Sequence, residues 1–303
     1  MPLNIATCQF PVDGDIHHNL RHTLRQMTAA KDGGAHVAHF SECSLSGYAG
    51  VEFPSFQNFD WDALASATQT IAEEAARLRL WTIFGSAHRL TGRHKPHNCL
   101  YILNDRGRLV DRFDKLYCTG DRTMQSADLL HYSPGDHFTV FTIRGIRCGA
   151  LICHDFRYPE LYREYRRRRV DLIFNAYHNG HVNERHYRRG QVDPSLWNLN
   201  HGKTIHGIIV PPTVQGHAAS NAMWISCNNT SARESSWPSF FVRPDGLITG
   251  RLTRNRAGIL FSSVDPKKKF YDASEAWRDR AMRGVYHSGK LVKDRRSAAR
   301  KKW

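Results

Sequence analysis

The chain has 303 residues, of which 41% are hydrophobic and 11% aromatic, so it can bury a sizeable core and is not a disordered polymer. No apolar run reaches the roughly 18 residues that a membrane-spanning helix needs, and the N-terminus has no basic region followed by an apolar stretch. Seven cysteines without a CxxC pair do not form a disulfide framework. We therefore expect a single globular domain in a reducing compartment, the cytoplasm.

The net charge of +15 is concentrated in the C-terminal segment. Residues 267–303 contain thirteen lysines or arginines against four aspartates or glutamates, a net charge of +9, which leaves +6 for the rest of the chain. Such a protein can bind nucleic acid, with Lys267–Lys269 and Arg295–Lys302 as phosphate contacts. Most basic runs are simply solvated, so we rank nucleic-acid binding below an enzymatic function. We also expect no membrane contact.

Strands and helices alternate along the chain. Helical spacing of Leu20, Leu24 and Met27 before Gly33-Gly34 predicts a first helix, and an apolar face predicts a second at 62–79. The predicted strands are 3–10, 37–40, 80–87, 99–104, 145–153, 171–177, 222–228, 240–242 and 257–264. This alternation indicates a layered α/β architecture rather than a helical bundle or an all-β sandwich.

The stretch LICHDFRYPEL (151–161) delivers a cysteine to the polar end of an apolar strand. Pro159 predicts a helix start just beyond, so Cys153 stands at the carboxyl end of a strand, where α/β folds build sites. The first turn of such a helix would lower the thiol pKa and supply N–H groups for an oxyanion. Most free cysteines are buried small hydrophobes, so this pattern alone does not identify a nucleophile.

Two other stretches place charged residues in apolar surroundings. In VAHFSECSLSGY (37–48), Glu42 follows a strand and precedes small residues, and in RFDKLYCTGD (112–121), Lys115 lies between Phe113 and Leu116. Each residue alone is more simply interpreted as half of a structural ion pair. Taken together with Cys153, the two stretches favour one shared site over separate structural contacts.

In this order, FSECSLSGY, NDRGRLVDRFDKLY and LICHDFRYPEL resemble the nitrilase superfamily of carbon–nitrogen hydrolases. GSAHR, HNCLYILNDRG, YSPGD, DLIFNAY and SFFVRPDG fall where that family has similar segments, so the resemblance covers roughly residues 3–265. The resemblance implies an α/β fold, a four-layer α-β-β-α sandwich. It also implies a homodimer or larger even homo-oligomer, and we expect no cofactor.

The resemblance further implies a catalytic triad of Glu42, Lys115 and Cys153. Cys153 would attack an amide-like carbon as a thiolate, Glu42 would move the protons, and the Lys115 ammonium would stabilise the oxyanion. We expect the backbone N–H of His154 to be a second oxyanion donor and Asp128 to be an auxiliary residue. The residues expected to bind substrate are Tyr48, Tyr177, His178 and Arg157.

The chain also departs from the family pattern. Ser41 replaces a common proline, Asp128 takes the place of a glutamate, and HAASN (217–221) lacks two charged partners, which indicates a lost structural salt bridge. A polar passage at about 179–216 is longer than expected, and we predict that it borders the pocket and sets specificity. We assign 1–266 to the hydrolase domain and 267–303 to a basic tail whose Phe270, Tyr271 and Trp277 wrap a partner subunit.

Alternative chemistries are weaker. His178, His181 and His186 could approach a metal, but no carboxylate or cysteine pattern completes a zinc site, so we expect none. His154 and Asp155 follow the cysteine where nitrilases proper often have Trp-Glu, which disfavours nitrile hydrolysis. A small linear amide is the first candidate substrate, an N-carbamoyl amino acid or amine the second and a nitrile the third.

Overall fold

The computed structural model of the protein describes residues 2–182, 188, 190–200 and 203–301. The strands are β1 (Leu3–Gln9), β2 (Val37–His39), β3 (Trp81–His88), β4 (His97–Leu103), β5 (Leu109–Asp114), β6 (Val140–Ile143), β7 (Ile146–Ile152), β8 (Leu172–Ala176), β9 (Trp224–Asn228), β10 (Phe240–Val242), β11 (Ile248–Arg251) and β12 (Gly258–Val264). The α-helices are α1 (Ile16–Asp32), α2 (Trp61–Leu78), α3 (Asp128–His131), α4 (Pro159–Arg167), α5 (Trp197–Asn200), α6 (Ile205–Asn221), α7 (Glu275–Met282) and α8 (Arg295–Ala298). Short 3₁₀ helices occupy Cys153–Arg157 and Pro194–Leu196. None of the described helices is long and apolar enough to cross a membrane.

The described residues form twelve strands in two six-stranded sheets. The first sheet has the order β12-β1-β2-β3-β4-β5 and the second β11-β10-β9-β8-β7-β6. The central strands of each sheet are parallel, β1-β2-β3 in the first and β7-β8-β9 in the second, and the outer pairs are antiparallel. The last strand, β12, returns to the first sheet and pairs along the whole of β1, from Leu3 opposite Val264 to Gln9 opposite Gly258.

The two sheets pack face to face between two helical layers. Helices α1 and α2 cover the first sheet, burying Met27 and Ile71 against Ala38 and Phe84. Helices α4 and α6 pack on each other and on the second sheet. The predicted four-layer α-β-β-α sandwich is therefore confirmed.

Polar contacts join the sheets in the middle of the sandwich. The hydroxyl of Ser226 on β9 lies 2.9 Å from both the Thr7 hydroxyl on β1 and Nδ1 of His39 on β2. The Asn228 amide donates to the Cys8 carbonyl at 2.9 Å. Because buried polar groups are costly unless they are paired, these contacts favour one alignment of the two sheets.

The sequence predictions located most of the predicted elements within two residues of their ends. Strands β5, β6 and β11, the long helix α6 and the short helices α3, α5, α7 and α8 were not predicted. No helix was expected in the polar passage at about 179–216, but residues 205–216 are helical. The adjacent Pro211 and Pro212 concealed this helix, since proline in a helix interior is normally disruptive.

The C-terminal tail is anchored to the body of its own chain. Phe270, which was expected to reach a neighbour, packs on the Trp224 ring at 5.7 Å, and the Arg278 guanidinium donates to the Ser220 carbonyl at 3.1 Å. Tyr271 and Trp277 keep 80% and 46% of their surface exposed. The tail thus presents these two aromatic rings outward while its base is held in place.

Candidate active site

Three segments from two different sheets converge at one edge of the sandwich. Glu42 follows β2 and Lys115 follows β5, both in the first sheet, and Cys153 follows β7 in the second. The backbone N–H of Glu42 donates across the sheets to the Tyr177 carbonyl at 3.2 Å. The structure therefore brings together the three residues that the sequence singled out.

Lys115 is fully buried between two carboxylates. Its Nζ lies 2.8 Å from Glu42 Oε1 and 2.7 Å from Asp128 Oδ2, and the Asn98 amide donates to the same Glu42 oxygen at 2.7 Å. The second oxygen of Glu42, Oε2, is buried without a hydrogen-bond partner among the described residues. One oxygen of Glu42 is thus fixed by two donors while the other remains available to accept a proton.

Asp128 holds Lys115 despite being one methylene shorter than the family's glutamate. It also accepts a hydrogen bond from the Thr119 backbone N–H at 2.9 Å and a short one from the Tyr48 hydroxyl. Burial raises the pKa of Asp128, but the Lys115 ammonium and the hydrogen bonds from Tyr48 and Thr119 together outweigh burial, so the pKa of this carboxyl lies below its ordinary value. The expected auxiliary position of Asp128 therefore coincides with a direct ion pair to Lys115.

The electrostatics keep Lys115 charged and the Cys153 thiol protonated. Burial lowers the pKa of Lys115, but Asp128 and Glu42 together raise it well above its usual value. Burial and the Glu42 carboxylate raise the pKa of Cys153, and Lys115 opposes them only in part. The expectation of a lowered thiol pKa is therefore wrong, because desolvation and a nearby anion outweigh the helix turn. The thiol needs a base at the moment of attack.

Cys153 opens a strained turn. It begins the 3₁₀ helix Cys153–Arg157 with a φ of +43°, a value that non-glycine residues adopt at a cost of order 1–3 kcal/mol. Within this turn, Asp155 is fully buried and accepts from the Ile152 N–H at 3.0 Å and the Tyr117 N–H at 2.8 Å. Asp155 thus ties the cysteine turn to the segment that follows Lys115.

Two glycines allow the catalytic segments to approach the sheets closely. A Cβ on Gly85 of β3 would come within 2.3 Å of the Ser41 carbonyl oxygen and the Cys43 nitrogen, on either side of Glu42. A Cβ on Gly135 would come within 2.6 Å of Asp114, just before Lys115, whose carbonyl accepts the Gly135 N–H at 2.8 Å. Backbone packs directly on backbone at both positions, so Gly85 and Gly135 fix the depth of Glu42 and Lys115.

The other predicted residues divide between the site and its surroundings. Tyr48 reaches Asp128, its ring lies 5.8 Å from Lys115 Nζ, and the His178 ring stacks on it at 4.9 Å. His154 is half-buried, with Nε2 3.4 Å from the Tyr158 hydroxyl, and it belongs to the turn that follows β7. Arg157 is exposed, with its guanidinium 5.1 Å from the Phe156 ring.

Tyr177 contacts the core more than the site. Its side chain is completely buried, the Asn175 amide donates to its hydroxyl at 2.8 Å, and its ring packs on Phe156 and Trp237. These contacts support the cysteine turn from behind. Tyr177 contacts Glu42 through its backbone carbonyl, while its side chain contacts the core.

The charged partners missing from HAASN are replaced by a different contact. His217 on α6 places Nε2 3.0 Å from the Phe156 carbonyl and stacks on the Tyr162 ring at 4.1 Å. It thereby joins α6 to the cysteine turn and to α4 without an ion pair. Ser41, in place of proline, is buried with its hydroxyl unpartnered in the described structure.

The polar passage is described only in part. Four basic residues of the passage that was expected to set specificity lie outside the described residues: Arg185, His186, Arg189 and His201. His186 is also the third histidine of the metal hypothesis. Lys203 is described, with Nζ 4.8 Å from the Trp197 ring. Among the described residues, no group of three His, Cys, Asp or Glu side chains could hold a metal ion.

Asn98, Glu52 and Gly85 contribute to the site, and the sequence did not single them out. Asn98 is a polar residue inside a buried strand, a signal that indicates a functional or structural hydrogen bond. Glu52 and its partner His178 are far apart in the sequence, and Gly85 is one of 22 glycines. Only the tertiary structure distinguishes these two.

Comparison with known proteins agrees with this geometry. A family model described as carbon-nitrogen hydrolase matches residues 4–268. An omega-amidase NIT2 from Bos taurus is 24% identical over 274 residues, covering 87% of this chain and 89% of the relative, and a nitrilase homolog 2 from Dictyostelium discoideum is 27% identical over 261 residues, covering 82% and 70%. A solved amidase from Nesterenkonia sp. superposes with a TM-score of 0.71 at 18% identity, covering 93% of this chain and 95% of that one.

The chain therefore belongs to the carbon–nitrogen hydrolase family. It is a hydrolase acting on carbon–nitrogen bonds other than peptide bonds, and the resemblance to the nitrilase superfamily is confirmed.

Proposed function

We propose that this chain hydrolyses a small linear amide through a thioester on Cys153, with Glu42 as the proton carrier and Lys115 as the oxyanion partner. The observation on which the proposal depends is the buried arrangement in which Lys115 bridges Glu42 and Asp128 while Glu42 Oε2 stays unpartnered beside Cys153. A purely structural ion pair would satisfy both oxygens of Glu42.

The first half-reaction follows from these protonation states. Because the thiol is protonated at rest, Glu42 Oε2 takes its proton as the sulfur attacks the carbonyl carbon. The oxygen of the tetrahedral intermediate becomes an anion that the Lys115 ammonium and the His154 backbone N–H stabilise. Collapse of the intermediate breaks the C–N bond, and the leaving nitrogen takes the proton from Glu42, so that ammonia or an amine departs and a thioester remains.

The second half-reaction returns the enzyme to its starting state. Glu42 accepts a proton from a water molecule whose oxygen attacks the thioester carbon, and the same oxyanion donors stabilise the second intermediate. The C–S bond breaks, and the sulfur recovers the proton from Glu42. One amide and one water thus give one carboxylic acid and one ammonia or amine.

Relatives support an amide rather than a nitrile. One relative is an omega-amidase. The solved Nesterenkonia amidase binds butyramide in one variant and carries the acetamide moiety of fluoroacetamide on its active-site cysteine in another. An N-carbamoyl amino acid or amine is the second candidate for this chain, because the same thioester chemistry applies to a carbamoyl carbon. A nitrile is the third.

We also propose that residues 1–266 form the catalytic domain, that the chain acts in the cytoplasm, and that it assembles as a homodimer or a larger even homo-oligomer. Tyr286 and Val292 in the tail keep 88% and 77% of their surface exposed, as expected for side chains that a second subunit would cover.

A substrate panel tests the function. Short amides, N-carbamoyl amino acids and the corresponding nitriles are assayed for ammonia release, with intact mass spectrometry to detect acyl-Cys153. We expect amides to react fastest and the adduct to disappear in Cys153→Ser. Ammonia released from nitriles alone would overturn the amide assignment, and neither ammonia nor adduct from any compound would overturn the hydrolysis mechanism.

A further inference from the structure

Two charged side chains without a role in the mechanism above are buried against Tyr48. His178 follows β8, and Glu52 lies in the segment after Tyr48. Their side chains are 1% and 2% exposed, and His178 Nε2 lies 2.7 Å from Glu52 Oε1. The two atoms are close enough for an ion pair, but the angle between them does not fit a hydrogen bond, and neither has another hydrogen-bond partner among the described residues.

This pair contacts the catalytic groups in two directions. On one side, the backbone N–H of His178 is close enough to the Cys153 sulfur to lower the pKa of that thiol. On the other, the His178 ring stacks on Tyr48 at an interplanar angle of 28°, and Glu52 Oε2 accepts the Tyr48 backbone N–H at 2.8 Å. Because the Tyr48 hydroxyl binds Asp128, a shift of the pair would move the carboxylate that holds Lys115.

The groups around His178 determine its protonation state. Burial lowers the pKa of His178, but Glu52 and then Glu42 raise it by more, so the ring keeps its proton above the usual pH range. Three other titratable groups of the described residues lie nearby. Tyr48 stacks on the His178 ring, and Cys153 lies near the His178 backbone N–H. His181 Nε2 is 3.7 Å from Glu52 Oε1, and the His181 side chain is 43% exposed.

Building on the hydrolase function proposed above, we propose that the His178–Glu52 ion pair is a positioning device for the catalytic groups. It holds the His178 N–H against Cys153 and, through Tyr48, holds Asp128 against Lys115, and it does so while His178 is protonated. These are positioning residues, because neither side chain takes part in the bond changes.

The sign of the pH effect follows from charge balance. Below its pKa, His178 neutralises Glu52. When His178 loses its proton, the Glu52 carboxylate loses its counter-charge, and the added negative charge disfavours the charge that develops on sulfur. Iodoacetamide reacts with the thiolate, and below the raised thiol pKa the thiolate fraction rises about tenfold per pH unit. Loss of the His178 proton should therefore appear as a downward bend in this rising rate profile.

Alkylation of Cys153 by iodoacetamide tests this without knowledge of the substrate. The rate is followed by intact mass from pH 5.5 to 9 in the wild type, Glu52→Gln, Glu52→Asp and His178→Gln, with Cys153→Ser giving the background from other thiols. Above pH 6.5 we expect the wild-type rate to lie at least threefold below the line of about tenfold rise per pH unit extrapolated from lower pH. Glu52→Gln and His178→Gln should react at least tenfold more slowly at pH 6 and lack this bend, and Glu52→Asp should restore part of both.

Glu74→Gln is the matched control, because Glu74 pairs with Arg77 on the outer helix α2 and should leave the profile unchanged. Superimposable profiles for the wild type and Glu52→Gln would contradict the proposal. So would loss of the folded circular dichroism spectrum at 25 °C in both Glu52→Gln and His178→Gln, since the pair would then act in stability. A pair-dependent profile without turnover of any panel compound would leave the positioning role standing and refute the hydrolysis mechanism alone.

Discussion

At the residue scale, Glu42 is the most sensitive point of the site. In Glu42→Gln the amide oxygen can still accept from Lys115 and Asn98, but the amide nitrogen replaces Oε2 and cannot take a proton. We expect turnover to fall by about 10³-fold, the range typical of a lost general base. The rate of ammonia release and the circular dichroism spectrum check this.

Lys115→Arg should not preserve activity, because a planar guanidinium cannot occupy the position of an ammonium held by two carboxylates. Glu73→Gln, on the exposed side of α2, is the control for the loss of a carboxylate. Turnover above a few per cent of wild type in either catalytic variant would refute the assigned roles.

Asp155 should make the stability of the fold depend on pH. Burial raises its pKa to about 7, while the Tyr117 and Ile152 N–H groups oppose the shift, and the usual value is 3.8. The folded state therefore binds a proton more tightly than the unfolded state between these values. The contribution of Asp155 to the free energy of unfolding is fully present below about pH 4, is lost as the pH rises to about 7, and stays absent above that.

Asp155→Asn provides the comparison, because asparagine does not titrate. Its amide nitrogen would face a backbone N–H donor, so we expect the variant to be less stable than the wild type. The gap in unfolding free energy, measured by urea denaturation, should narrow between pH 4 and pH 7. A gap that is constant over this range would contradict the shifted pKa.

The sequence was sufficient to find Glu42, Lys115 and Cys153 because each stands in a short local motif whose chemistry conflicts with its apolar neighbours. It could not find Asn98 or the partnership of Glu52 with His178, because those contacts depend on which strands and loops become neighbours. It misjudged the Cys153 pKa for the same reason. The sequence predicts the helical turn after Cys153, but it does not predict that the Glu42 carboxylate lies close enough to raise the pKa of the thiol.

At the scale of elements, Gly85 on β3 determines where the Glu42 turn can lie. In Gly85→Ala, a methyl group would meet backbone atoms of Ser41 and Cys43 that cannot rotate away. We expect a loss of about 1–3 kcal/mol in stability, as for overpacked cores, and at least a tenfold loss of activity because Glu42 must move. Thermal unfolding and turnover measure the two effects.

Gly216→Ala is the matched control on helix α6. A Cβ there meets nothing within 4 Å, and alanine is preferred over glycine in a helix interior, so stability should rise by about 0.5–1 kcal/mol with unchanged activity. Equal activity in Gly85→Ala and the wild type would show that the Glu42 turn tolerates displacement.

The elements that the sequence identified are those with clear periodicity and recognisable ends. Helices α1 and α2 are capped by Asp15 and Asp60, and their apolar faces repeat over four or more turns. Strands β6 and β11 have four residues each, too few for an alternating pattern to stand out. Helix α6 is apolar on most sides and contains Pro211-Pro212, so its sequence resembles a loop more than an amphipathic helix.

At the scale of the whole molecule, the tail is the part with the most unexplained exposed apolar surface. Tyr271, Tyr286 and Val292 are each at least 77% exposed. If a second subunit covers them, sedimentation should give an even multiple of the 34.7 kDa chain mass, and deletion of 267–303 should give a smaller species. Deletion of 295–303 alone, which removes only the basic end, should leave the assembly intact.

A wild-type monomer, or an assembly that survives removal of the whole tail, would contradict this prediction. The same truncations address the basic charge. If retention on a DNA duplex at moderate salt depends on 295–303, the tail contacts phosphates as well as, or instead of, a partner subunit.

The distribution of the catalytic residues over two sheets makes activity a reporter of assembly. Glu42 and Lys115 belong to the first sheet and Cys153 to the second, while β12, the last strand, inserts beside β1. A chain cut in the connection at 119–127 would give two inactive fragments. The C-terminal fragment would carry β12, the edge strand of the sheet that the N-terminal fragment otherwise forms. If each fragment were fused to one of two interacting proteins, the fragments would form a split enzyme. This enzyme would release product only when the two fused proteins bind each other.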